Sequence, residues 1–240
     1  VDRVVGQHIT HVSRRAKYII CDLDNGFSLA LHLGMSGRIK ILPVGSNLPR
    51  EKHDHFEIKM QNGERIILND TRRFGMLFDV RTDRIDVHPR FSSLGPEPLS
   101  DEFNQEYLHE ALSGNKSPIK VAIMDQRLVV GVGNIYASEA LYRARISPLR
   151  DAGSLTADEV ALFVSCIKDV LCEAIEAGGT TLKDHRTVEG GLGYFQQNLA
   201  VYGREKLACP QCICNPIEDG GIQKIVQAGR STFYCRIKQV

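Results

Sequence analysis

No stretch of this 240-residue chain stays apolar long enough to cross a bilayer, and its opening, Val1-Asp2-Arg3-Val4, lacks the charged-then-apolar layout of a signal peptide. The expectation is a cytoplasmic protein with no membrane partner. Charge of one sign is missing too. Thirty Lys and Arg nearly balance 29 Asp and Glu, so composition alone points to no polyanion, and any nucleic-acid contact must rest on local distribution. The first 60 residues hold a small excess, nine Lys and Arg against six Asp and Glu. An apolar content of 42% with 25% charged residues suggests neither disorder nor a fibrous repeat, and the length allows one sizeable core or two or three smaller units. The seven cysteines are odd in number and four of them follow residue 208, which favours a reduced compartment and a metal cluster over a disulfide framework. Cys166 and Cys172 read as helix packing and Cys21 as strand packing.

What is present changes period along the chain. Up to about residue 90, "YIICDLDNGFSLALHLGMSGRIKIL" and "HFEIKMQNGERIILND" place turn signals at Asp24-Asn25-Gly26 and Gln61-Asn62-Gly63 between alternating apolar runs. That pattern predicts hairpins of an antiparallel sheet, closed as a sandwich or barrel. "SLGPEPLS" then interrupts regular structure, and the period becomes helical. Ser100 is the expected N-cap of a helix over "DEFNQEYLHEAL", stopped by Gly114. Thr156 and Glu159 form a capping box ahead of the stripe Val160, Phe163, Val164, Ile167, Val170, Leu171, Ala174 and Ile175, which ends at Gly178-Gly179. Between these lie two helices joined by the glycine-rich turn Val130-Gly131-Val132-Gly133. A helix starting at Asn134 after such a turn suits a phosphate or a tight packing corner, and Lys116, Lys120 and Arg127 on the preceding helix favour the anion. Residues 178–204 show little apolar periodicity and read as a functional lid or as disorder.

The closing stretch begins like a zinc site. Cys209 and Cys212 are spaced C-x2-C, 22 residues separate Cys212 from Cys235, and the position where a mirrored pair would end is Lys238, whose ammonium has no lone pair for a metal. The fourth ligand is then Cys214 or water. Cys214, two residues past Cys212, competes with the tight turn of a C-x2-C knuckle, so the expectation is a weakened or empty zinc site. The ribbon of residues 222–235 should persist without metal, through its alternation and its turn at Ala228-Gly229.

Seven separated motifs, "RRAKY" (14–18), "HLGMSG" (32–37), "NDTRRFG" (69–75), "LGPEPL" (94–99), "VGVGNIYASEAL" (130–141), "VYGR" (201–204) and "AGRSTFYC" (228–235), together resemble the bacterial formamidopyrimidine-DNA glycosylases over essentially the whole chain. The resemblance implies a multi-domain α+β fold: an N-terminal antiparallel β-sandwich over 1–93, a helix-two-turns-helix domain over 100–204 with a lesion-capping loop at 178–195, and a C-terminal zinc-finger-like β-hairpin over 205–240. It implies a bacterial, nucleoid-associated monomer that acts on double-stranded DNA containing oxidised purines or abasic sites, excising 8-oxoguanine and formamidopyrimidines and cleaving the abasic strand, with one zinc ion as its cofactor. DNA would lie bent in a cleft between the domains.

By the same resemblance Met35, Arg72 and Phe74 fill the gap left by an extruded base, Lys17, Asn134 and Arg230 clamp the flanking phosphates, and Lys120 supports them. Read without the family, Met35 and Phe74 would be ordinary core residues. The family's nucleophile is an N-terminal proline followed by a glutamate acid, and the chain opens instead at Val1-Asp2-Arg3. The chain as written is therefore expected to excise weakly, with Lys17 the lysine its motif places near the chemistry. Two other readings stand beside the oxidised-purine enzyme: a catalytically dead relative that binds damaged DNA, and an endonuclease VIII-like glycosylase for oxidised pyrimidines.

Overall fold

The alternating first third becomes seven strands in the computed structural model, which describes residues 2–180, 194–210 and 212–240. Strands β1 (Ile9–Arg15), β2 (Tyr18–Leu23), β3 (Phe27–His32), β4 (Gly37–Leu42), β5 (Asp54–Lys59), β6 (Arg65–Asp70) and β7 (Met76–Arg81) form two antiparallel sheets, ordered β1-β2-β3-β7 and β4-β6-β5. The register follows the turns. Asn25 Oδ1 accepts from the Phe27 amide and Asn62 Oδ1 from the Glu64 amide, which closes β2–β3 and β5–β6 at the two predicted places. Ile20, Ala30 and Val80 are buried on one face of the first sheet and Leu29 on its other face, and the consecutive buried residues Ile67 and Leu68 lie on opposite faces of the second sheet. Residues Val1–Ser92 with Glu176–Gln196 make one compact unit; Ser93–Ile175 with Gln197–Val240 make a second.

The second unit holds helices α1 (Gln105–Leu112), α2 (Ile119–Ala122), α3 (Asn134–Arg143) and most of α4 (Ala157–Glu176), then strands β8 (Gln223–Gln227) and β9 (Arg230–Tyr234). The capping box forms as read: the Thr156 amide donates to Glu159 at 2.8 Å and the Glu159 amide to Thr156 Oγ1 at 3.3 Å, an arrangement that stabilises a helix start by about 1 kcal/mol. The stripe behind it is buried from Val160 to Ala174, whereas Ile175 is exposed. Three local expectations change. Helix α1 starts at Gln105 because Asn104 accepts from the Tyr107 amide; Ser100 instead donates to the Glu97 carbonyl, and Phe103 is already fully buried ahead of the first turn. Helix α2 is one turn long, so Lys120 lies on it while Lys116 and Arg127 lie outside. Cys172 is exposed on α4 rather than packed, unlike buried Cys166.

Positions 181–193 of the expected lid lie outside the described residues; at its edges Thr180 bridges Tyr194 and Phe195 is buried. Among the described residues no helix is long and apolar enough to cross a membrane.

Candidate nucleic-acid interface and metal centre

Two short loops of the first unit bring Met35, Arg72 and Phe74 together. The loop before β4 and the β6–β7 connection meet backbone to backbone, so closely that a Cβ on Gly34 (φ 64°) would lie 2.6 Å from the Phe74 carbonyl carbon and 2.8 Å from the Gly75 nitrogen. Only glycine fits there. Asp70, 2% exposed at the end of β6, joins them: Oδ1 accepts from Ser36 Oγ at 2.6 Å and from the Arg72 amide at 3.3 Å, and Oδ2 accepts from the Gly75 amide at 2.7 Å. Burial alone would raise the Asp70 pKa, but hydrogen bonds from Ser36, Gly75, Arg72 and Arg73 outweigh it and hold the carboxyl below its usual value. Arg72 donates from Nη2 to the Met35 carbonyl at 3.4 Å. The consequence is on the surface. Met35 is 66% and Phe74 58% exposed, so neither is a core residue.

Lys17 is exposed on the β1–β2 turn, next to Ala16, which is buried with φ 52°. Its charge bears on His32, whose pKa is lowered first by burial and then by Lys17 and Arg90; His32 Nδ1 accepts from the Gly34 amide at 2.9 Å. The imidazole is thus held neutral at the base of the loop that carries Met35.

In the second unit the start of α3 gathers Lys120, Asn134 and Arg230. Lys120 is 1% exposed and donates to Asn134 Oδ1, and the other end of that carboxamide donates to Tyr202 Oη at 3.1 Å and to the Ser231 carbonyl at 2.8 Å. One side chain thereby fastens α2, α3, residue 202 and the hairpin tip. Burial, and then the charge of Arg230, pull the Lys120 pKa down to about 8, while Arg230 itself is exposed. Two residues that the sequence reading passed over hold this arrangement. Glu139 is buried on α3 and accepts from the amides of Ala200, Val201 and Tyr202 at 2.8, 3.0 and 2.8 Å, fixing the segment that presents the Tyr202 hydroxyl. Tyr202 also packs edge-on against Phe233 of β9 at 4.9 Å. Both lie in quoted motifs, Tyr202 in "VYGR" and Glu139 in "VGVGNIYASEAL", but the role of Glu139 was not legible there, since its partners lie more than 60 residues away.

The cysteines correct the expectation of a poor fourth ligand. Cys209, Cys212, Cys214 and Cys235 bring their Sγ atoms within 4.8 Å of one another, with Cys209···Cys214 at 3.4 Å and Cys212···Cys235 at 3.8 Å. Tetrahedral zinc with Zn–S bonds of about 2.3 Å sets its thiolates about 3.8 Å apart, so the donor set fits such an ion in number, type and spacing. Cys214 joins the knuckle rather than opposing it, because the chain folds back far enough for the Cys214 amide to donate to Cys212 Sγ at 3.4 Å. Burial raises the Cys209 and Cys235 thiols, which makes a packed set of thiolates unfavourable unless a cation compensates. Lys238, standing three residues beyond Cys235 where a mirrored C-x2-C pair would end, places Nζ 4.0 Å from the Tyr142 ring centroid. The turn after Cys235 is closed instead by Gln239, whose Oε1 accepts from the Cys235 amide at 2.8 Å and whose Nε2 donates to the Ile146 carbonyl at 2.9 Å.

Comparison with known proteins agrees with these motifs. Residues 1–77 match the formamidopyrimidine-DNA glycosylase N-terminal domain and residues 94–186 the formamidopyrimidine-DNA glycosylase H2TH domain. The chain is similar to the formamidopyrimidine-DNA glycosylase of Ruegeria pomeroyi, 47% identical over 240 residues that span 98% of this chain and 83% of that protein. Among solved structures it is similar to the MutM (Fpg) protein of Thermus thermophilus, with a TM-score of 0.86 and 40% identity over 98% of this chain and 84% of that one. It is similar also to the Lactococcus lactis Fpg in complex with DNA containing Fapy-dG, with a TM-score of 0.87 and 33% identity over 99% of this chain and 84% of that one. The same Lactococcus enzyme with DNA containing an abasic site gives a TM-score of 0.88 at 33% identity, over the same shares of each chain.

Proposed function

This chain belongs to the formamidopyrimidine-DNA glycosylase family, and from that premise we propose that it serves DNA base-excision repair, releasing oxidised purines such as 8-oxoguanine and formamidopyrimidines from duplex DNA and then cleaving the abasic strand. The observation that carries the reading is the exposure of Met35 and Phe74 beside Arg72 on two interlocked loops. A glycosylase must take its base out of the stack, and the gap costs a few kcal/mol unless side chains enter it. Exposed methionine and phenylalanine waste apolar surface in water; inserted between base pairs they recover stacking, and the Arg72 guanidinium can hydrogen-bond the partner base left behind.

Lys17 of the first unit, and Asn134 and Arg230 of the second, are assigned to the phosphates flanking the extruded nucleotide, and Lys120 and Tyr202 both hydrogen-bond Asn134. Sequence-independent phosphate contacts fix register, while the gap-filling side chains sense damage. Cys209, Cys212, Cys214 and Cys235 would hold zinc, which when bound supplies no chemistry to the sugar and rigidifies the hairpin that carries Arg230. The test uses the protein with its native N-terminus and a duplex carrying one 8-oxoguanine opposite cytosine. Release of the free base, with a covalent adduct trapped by borohydride, is expected; binding of the lesion with neither product would leave a damage-binding protein, and release only of oxidised pyrimidines would move the substrate class.

A further inference from the structure

We propose that Asp70 is a positioning residue for damage sensing: with Ser36 it locks the loop before β4 against the β6–β7 connection, so that Met35, Arg72 and Phe74 meet DNA as one preformed wedge. This rests on the reading of those three side chains given above.

A carboxylate with 2% exposure is costly unless every lone pair is used, and Asp70 spends both oxygens on these loops. Oδ2 takes the Gly75 amide, and Oδ1 takes Ser36 Oγ, 34 residues away in sequence, together with the Arg72 amide. Ser36 Oγ in turn accepts from the Arg72 amide at 3.0 Å. The short connection from β6 to β7 needs no such bridge to a third segment for its own closure; the bridge serves the relation between the loops. Its members flank the wedge on each side, Ser36 next to Met35, Arg72 itself, and Gly75 next to Phe74. The backbone contact at Gly34 completes the interlock. Methionine and arginine side chains are rich in rotamers, and presenting them from a rigid base lowers the ordering cost at the moment of insertion.

The consequence is a specific division. Asp70 should affect discrimination of damaged from intact duplex, not general grip, because among the described residues its carboxylate bonds Ser36 and the Arg72, Arg73 and Gly75 amides and it adds no cation. Asp70→Asn keeps the volume but turns one acceptor into a donor facing either Gly75 or the Ser36–Arg72 pair. Ser36→Ala cuts only the link between loops and serves if Asp70→Asn fails to fold. Equilibrium binding of the full-length protein to abasic-site and intact duplexes, with 2-aminopurine placed beside the abasic site to report stacking, provides the readout. Each variant is expected to lower the preference for the abasic duplex roughly tenfold and to weaken the stacking signal, with affinity for intact duplex and its salt slope unchanged. Neither variant should lower the preference further in a Phe74→Ala background. Equal loss of affinity for both duplexes would mean a merely structural carboxylate and overturn the proposal, as would full discrimination in a folded Asp70→Asn or Ser36→Ala variant. If Phe74→Ala itself left discrimination intact, the underlying reading of the wedge would fall as well.

Discussion

Lys120 is the residue whose environment most shapes behaviour in solution. Buried and close to Arg230, it titrates near pH 8 instead of the ordinary 10.5. The sign works in two opposite directions. Between about pH 8 and 10.5 the unfolded chain binds more protons at this site than the folded one, so its contribution to folding stability rises with pH across that window and is flat below it. Duplex binding should run the other way, since a phosphate restores the ammonium. Affinity is predicted to fall as pH rises through 8, with a proton taken up on binding just above that pH. Calorimetry in two buffers of different ionisation heat measures this directly, and Lys120→Met should abolish it; heats independent of buffer would exclude a phosphate near Lys120. Arg230→Ala should move the transition upward by a smaller amount, because burial is the larger cause.

At the scale of elements, the terminal hairpin separates what metal does from what local geometry does. Cys214→Ser should lower the zinc recovered per chain after purification without chelator, while Lys238→Cys should add little, since four thiols already converge and Lys238 packs on Tyr142. Retention of one tightly held zinc by Cys214→Ser would return the site to three thiolates and water. The turn itself places Ala228 at φ 45° and Gly229 at φ 73°, two positive values that asparagine–glycine meets at lower strain. Ala228→Asn is expected to stabilise the hairpin by about 1 kcal/mol, visible as slower hydrogen exchange at the Gln227 and Arg230 amides; unchanged or faster exchange would contradict it. Elements whose signals are local were legible in the sequence: the Thr156–Glu159 box, the Asn25 and Asn62 turns, the α4 stripe. Those decided by distant partners were not. Asn104 won the start of α1 over Ser100 once Phe103 was buried, and Cys214 entered the metal set through a fold-back that no spacing template describes.

For the whole molecule, two buried carboxylates take parallel roles, Asp70 in the first unit and Glu139 in the second, each collecting backbone amides to set functional side chains. Neither role could be read from sequence, where an acid on a helix or beside arginines looks like solvated surface. The motifs gave the family and its division of labour; read as residues alone, Met35 and Phe74 would be core, and the fold shows them exposed. The central claim is that sensing and gripping are separate: the wedge of Met35, Arg72 and Phe74 reads damage, and Arg230 with its neighbours holds the backbone. The most direct test is the salt dependence of binding to an 8-oxoguanine duplex and its intact counterpart, for the full-length protein and for Phe74→Ala and Arg230→Ala. The account predicts that Arg230→Ala reduces the salt slope by about one on both duplexes and spares the preference for damage, whereas Phe74→Ala removes most of that preference at an unchanged slope. A salt slope altered by Phe74→Ala, or a damage preference lost with Arg230→Ala, would contradict it.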